Sequence, residues 1–157
     1  MGKNHMKRIA FTGAVLLSSL LSFTVTAAEL SPEEQAAQSV ATRQAVFKLL
    51  SFANGSLRPG ASYDVEAAKV SAERIAVLGA MIPDLFAANT SAAGVQSRSA
   101  DTIWTAKADF DQLAHDLVAG ANEALNILNT KGADGAREAV AAIGPKCGAC
   151  HDRFRLD

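Results

Sequence analysis

Apolar residues recur at alternating spacings of three and four along most of the chain, the period of amphipathic helices rather than strands. In the first predicted helix the seam runs Ala36, Val40, Arg43, Phe47 and Leu50. Ser31, Pro32 and Glu34 stand where an N-cap, an N1 proline and the third residue of a capping box belong, so this helix is predicted to begin at Ser31. Asn54-Gly55 ends it, and Arg58-Pro59-Gly60 turns the chain. The second helix begins near Asp64, carries Val65, Ala68, Ala72, Ile75, Gly79 and Ile82, and is predicted to close before Pro83. A loop rich in Ser, Ala, Gly and Asn covers about 87–101. The third helix carries Ile103, Ala106, Phe110, Leu113, Leu117, Ala121, Ala124 and Leu128 and stops at Lys131-Gly132. The fourth carries Ala136, Val140, Ile143, Cys147, Cys150 and Phe154, with a kink predicted at Pro145. Such seams pack as an antiparallel four-helix bundle, an all-α fold. No segment reads as a convincing strand, and there is no internal repeat.

Ahead of these helices the pattern changes. Lys3, Lys7 and Arg8 precede an apolar stretch from Ile9 to Phe23, and Val25-Thr26-Ala27-Ala28 supplies small residues for cleavage after Ala27 or Ala28. The stretch is short for a spanning helix and ends in small, polar groups, so residues 1–28 are expected to be a cleaved signal peptide. That leaves 29–157 as one exported domain without a membrane span, expected in the periplasm.

Charge narrows the partners. The chain has 15 Lys and Arg against 16 Asp and Glu. Lys3, Lys7 and Arg8 are the only Lys or Arg of 1–28, which has no acidic residue, so the mature part holds 12 against 16, a net of −4. This argues against nucleic acid and anionic membrane surfaces as partners. Aromatics are few and alanine is abundant, so the core needs one large apolar inclusion among small side chains.

The chemistry is concentrated in Cys147-Gly148-Ala149-Cys150-His151, the attachment signature of a c-type haem. Two thiols one helical turn apart can both add to the vinyl groups of one porphyrin. The imidazole that follows reaches the iron from the same side. These are the only cysteines, so one covalent haem c per chain is expected and no disulfide. A thioredoxin-like Cys-x-x-Cys site would sit at a helix N-terminus beside a strand, and a structural zinc site needs four ligands, while the other histidines are only His5 and His115. His115 lies off the seam and is expected to face water; Met81 is the only methionine after the leader. Arg43 places a charge in an apolar seam, which calls for a buried or half-buried anion unless the side chain reaches solvent.

With four helices, the motif at the extreme C-terminus, Arg43-Gln44 in the first helix, Ile103-Trp104 opening the third and Phe154-Arg155 after the histidine, the mature chain resembles cytochrome c′. The resemblance implies thioethers at Cys147 and Cys150 and His151 as the proximal iron ligand. It implies that Arg43, with Gln44 beside it, contacts a haem propionate and that Phe47 lies over the distal face. Arg155 becomes a neighbour of the proximal pocket, against the alternative of a frayed terminal residue; Arg98, in the long loop, is a weaker candidate for the second propionate and stays outside this set. The implied protein is no enzyme. It is a high-spin haem protein with five-coordinate iron that binds nitric oxide or carbon monoxide, can exchange electrons with an unidentified redox partner, and forms a homodimer through the first two helices. The alternative is a low-spin electron carrier of the cytochrome c-556 type, in which the sixth ligand is a methionine of the first helix; this chain has none there. A Cys-x-x-Cys thiol oxidoreductase is a third reading, from another class.

Overall fold

The computed structural model describes residues 29–60 and 62–156; the expected signal peptide lies outside the described residues. Four long helices, α1 (Pro32–Ser56), α2 (Val65–Leu85), α4 (Lys107–Lys131) and α5 (Ala136–Phe154), and one short helix, α3 (Thr102–Thr105), make up the fold, a four-helix bundle. Among the described residues there is no strand, only an isolated bridge between Ser99 and Arg155.

The first helix starts as its sequence requires. Ser31 Oγ accepts from Glu34 N at 3.3 Å, and Glu34 Oε2 accepts from Ser31 N at 2.8 Å, so two orphan donors of the first turn are satisfied reciprocally. Asp64 caps α2 through Oδ1, which accepts from Glu66 N and Ala67 N. Two boundaries differ from the pattern. Helix α2 continues through Pro83 to Leu85, because a proline so near the C-terminus removes one backbone bond, while its own carbonyl still accepts from Phe86 N and Lys107 Nζ. The third predicted helix is two, α3 and α4, parted where Ala106 leaves helical geometry at φ −123° and ψ 42°. Its N–H still reaches Thr102 O, and its carbonyl serves Phe110 N, so the chain bends without losing its bonds. Pro145 sits inside α5, which runs on past it.

Small residues bring the helices together. A methyl group added at Gly120 of α4 would stand 2.5 Å from the Ala142 carbonyl of α5, and one added at Gly79 of α2 would stand 3.2 Å from a Val118 methyl of α4. Ala68, Ala72, Ala121, Ala124 and Ala139 are fully buried around these approaches, with Ile75, Leu128 and Ile143 as the larger fillers. Helix α1 packs on α2, α2 on α4, and α4 on α5, whereas α1 and α5 scarcely approach one another. The bundle is therefore open along one seam. That opening explains why Phe47 and Leu50, in the predicted seam of α1, are only half-buried while Val46 and Ala53 beside them are buried.

Candidate functional site

Two cavities lie along this seam and share Cys150, His151 and Arg155 as walls. The larger, of about 360 Å³, is lined from α1 by Phe47 and Leu50, from α2 and α4 by Ile75, Ile82, Leu113 and Leu117, and from α5 by Ile143, Cys147, Cys150 and His151. The smaller, of about 180 Å³, is lined by Arg43, Gln44, Phe86, Ser97, Arg98, Ser99, Cys150, His151 and Arg155, among others. Both are walled mainly by apolar side chains, and the smaller also gathers the guanidinium groups of Arg43, Arg98 and Arg155. An elongated slot with one greasy and one cationic end, thiols on one wall and an imidazole between them, fits an amphiphilic porphyrin with a hydrocarbon edge and a carboxylate edge.

Cys147 and Cys150 are free thiols, half-buried and packed against the core. Burial pushes both thiols up; at Cys150 the neighbouring Cys147 adds to the rise and Arg153 opposes it. They are therefore protonated thiols at neutral pH, the form that adds across a vinyl double bond without leaving a buried charge. Burial lowers the pKa of His151, and the positive charge of Arg155 lowers it further. An imidazole kept neutral keeps a lone pair for a metal. Arg155 Nη1 lies 3.0 Å from His151 Nδ1. A guanidinium only donates, so Nδ1 accepts and the ring proton sits on Nε2. Ligation through Nε2 would move that proton to Nδ1, which Arg155 cannot accept, so the two arrangements exclude each other.

Arg43 is buried, 3% exposed, and does not reach solvent. Nε donates to Leu85 O at 2.7 Å, Nη1 to Thr90 Oγ1 at 2.7 Å and Nη2 to Ala88 O at 2.9 Å. The carbonyls belong to the end of α2 and the turn after it, where the helix dipole supplies partial negative charge. The Phe86 ring, 4.4 Å from the guanidinium carbon, adds a π face, and the Trp104 ring follows at 5.5 Å. Burial lowers the Arg43 pKa. The sequence did not foretell this set, because the carbonyls are 42 and 45 residues away and backbone acceptors carry no residue signature.

Phe47 meets Phe86 edge-on with centroids 6.3 Å apart, and the aromatic contacts continue from Phe86 to Phe110 at 4.8 Å and from Phe110 to Phe154 at 5.3 Å. The ring over one wall is thus braced against the helix that carries the thiols. Gln44 is exposed at the rim of the smaller cavity. His115 is exposed, and Met81 is 43% exposed; neither lines either cavity. The backbone is held as far as Leu156: Leu156 N donates to Arg98 O at 2.8 Å, and Ala100 N to Phe154 O at 2.9 Å. Ser97 and Ser99, which line the smaller cavity on either side of Arg98, were missed because the loop has no period to read. Among the described residues no cluster of three or more His, Cys, Asp or Glu forms a metal site.

The cytochrome c′ family model matches residues 38–155. The cytochrome c′ of Allochromatium vinosum is 26% identical over 152 residues, spanning 94% of this chain and 96% of that protein. The cytochrome c-556 of Agrobacterium tumefaciens is 34% identical over 94 residues, 60% of this chain and 74% of that protein. The crystal structure of cytochrome c′ from Thermochromatium tepidum superposes with a TM-score of 0.69 at 26% identity, covering 83% of this chain and 100% of that one. A nitric oxide complex of a cytochrome c′ variant from Alcaligenes xylosoxidans has a TM-score of 0.65 at 24% identity over 82% of this chain and 100% of that one, a likeness of fold.

Proposed function

The chain belongs to the cytochrome c′ family and carries a covalent haem c, and from that premise we propose that it is a periplasmic, high-spin, five-coordinate haem protein that binds diatomic gases and exchanges electrons without turning over a substrate. The observation that carries this reading is the α1 wall of the larger cavity, which presents Phe47, Leu50, Ser51 and Asn54 and no Met, His or Cys side chain to the space that His151 also lines. When bound, the haem supplies an iron that can be ferric or ferrous and has an open coordination position. The residues do the rest. Cys147 and Cys150 would hold it by thioethers, and His151 would ligate the iron through Nε2. Arg43 and Gln44 would serve its propionates, Phe47 would lie over its distal face, and Arg155 would border the His151 side, its guanidinium released from Nδ1. Nitric oxide is the favoured ligand, in keeping with the complex reported for the Alcaligenes relative.

The identity to a cytochrome c-556 favours a second reading, a low-spin electron carrier. The absence of methionine from α1 and the distance of Met81 from both cavities weigh against it. The domain reading stands with the function: residues 1–28 direct export and 29–157 form the haem domain. No described helix is long and apolar enough to cross a membrane. We place a homodimer contact on the outer face of α1 and α2, where Leu49, Phe52, Val70 and Val77 form an exposed apolar groove.

Intact-mass measurement after acid-acetone extraction tests attachment; the haem is expected to stay on the chain. The reduced absorption spectrum tests coordination. A broad high-spin band that changes on adding nitric oxide is expected, and a sharp low-spin alpha band would transfer the protein to the c-556 reading.

A further inference from the structure

The smaller cavity contains more positive charge than one anchor explains. Arg43, Arg98 and Arg155 line it together with His151, and among the described residues no carboxylate does. A concave site with three guanidinia, hydroxyl groups and no acid is built for anionic oxygen. Arg43 can serve only part of that demand, because three of its five N–H groups are already held by Leu85 O, Ala88 O and Thr90 Oγ1.

Arg98 is differently placed. Its carbonyl accepts from Leu156 N at 2.8 Å and its Nε donates to Leu156 O at 3.1 Å, so backbone and side-chain stem are tied to the strand of chain leaving α5. Ala100 N, bonded to Phe154 O at 2.9 Å, closes the strap on its other side. With Nε occupied, the two Nη groups have no hydrogen-bond partner among the described residues and form a fork, the geometry that takes a carboxylate through two parallel hydrogen bonds.

We propose that Arg98 is a second carboxylate anchor, binding a haem propionate with its Nη fork while its Nε holds the C-terminal strap. The proposal rests on the reading that Cys147 and Cys150 carry the haem at this seam. A cation bound to a propionate opposes the extra positive charge of ferric iron, so Arg98 favours the ferrous state.

The test uses protein whose mass shows the haem attached, which separates a failure of attachment from a failure of this proposal. Arg98→Gln keeps a donor for Leu156 O and loses the charge. Its ferric to ferrous ratio at fixed ambient potential is expected to rise about threefold, or about 28 mV at 59 mV per tenfold for one electron. The carboxylate stretch of carbon-13-labelled propionates in the redox infrared difference spectrum is expected to shift with it. Arg58→Gln, at an exposed arginine distant from both cavities, is the control for loss of charge alone. Arg98→Lys, which keeps the charge and loses the fork, is expected to hold the ratio and still move the infrared band, and it stands in if Arg98→Gln does not mature. A shift in ratio with the band unmoved would overturn the proposal, leaving Arg98 a distant charge. No change in either beyond the control would overturn it as well, leaving Arg98 a strap residue only.

Discussion

A charged residue in an apolar helical seam poses a single physical demand: the guanidinium must find acceptors or stay in water. Arg43 meets it with the spent end of α2 and the turn beyond, so it ties α1 to the loop that borders the site. One turn on, Phe47 is held between the slot and Phe86. Truncation to alanine removes a half-buried ring. The loss should fall below the roughly 3–5 kcal/mol of a fully buried phenylalanine, at about 1–3 kcal/mol by urea unfolding of the holoprotein. The same change should raise carbon monoxide affinity by about tenfold for each ~1.4 kcal/mol of crowding relieved. Equal affinities in a carbon monoxide titration would show that Phe47 is core and nothing more.

Helix ends and helix crossings obey more local rules. The Ser31 backbone and hydroxyl hydrogen bonds hold the Glu34 carboxylate below the usual range near 4.5. A depressed carboxylate pKa means stability present above 4.5 and lost as pH falls through the folded-state value. Glu34→Gln should therefore lower Tm at neutral pH and match the wild type once the pH is below that value; a constant difference at all pH would place the effect elsewhere. At the α4–α5 crossing, Gly120→Ala drives a methyl group to 2.5 Å from the Ala142 carbonyl, whereas at Gly55, in the last turn of α1, no group of another element lies within 4 Å. Overpacking against backbone costs about 1–3 kcal/mol, and an unobstructed helical Gly→Ala gains about 0.5–1 kcal/mol. The two variants should thus move thermal midpoints in opposite directions.

At the scale of the molecule, the bundle has two unfinished surfaces. One is the seam between α1 and α5, where the proposed function places the haem. The other is the outer face of α1 and α2, where Phe52 is 70% exposed, Val77 65% and Leu49 54%. Large apolar side chains gathered so densely in solvent mark a contact surface. Phe52→Arg should convert a dimer into a monomer in sedimentation velocity while leaving the reduced spectrum unchanged. A wild type that is monomeric at every concentration would remove the proposed interface.

The four long helices were legible because burial on one side imposes a period of 3.6 on apolar residues, and caps such as Ser31 and Asp64 act within three residues of themselves. The haem was legible for the same kind of reason: two thiols and an imidazole within Cys147–His151 act as one covalent unit wherever the chain goes. The break at Ala106 and the continuation of α2 through Pro83 were not legible, since they depend on how neighbouring helices meet. Nor was the slot itself. Phe47 and Leu50 read as ordinary core in the periodic pattern, and only the separation of α1 from α5 turns them into walls. Arg43 with the α2 carbonyls and Arg98 with the chain end belong to this second group. Their partners are backbone atoms far along the chain, identical in every residue type, so only the folded arrangement selects them.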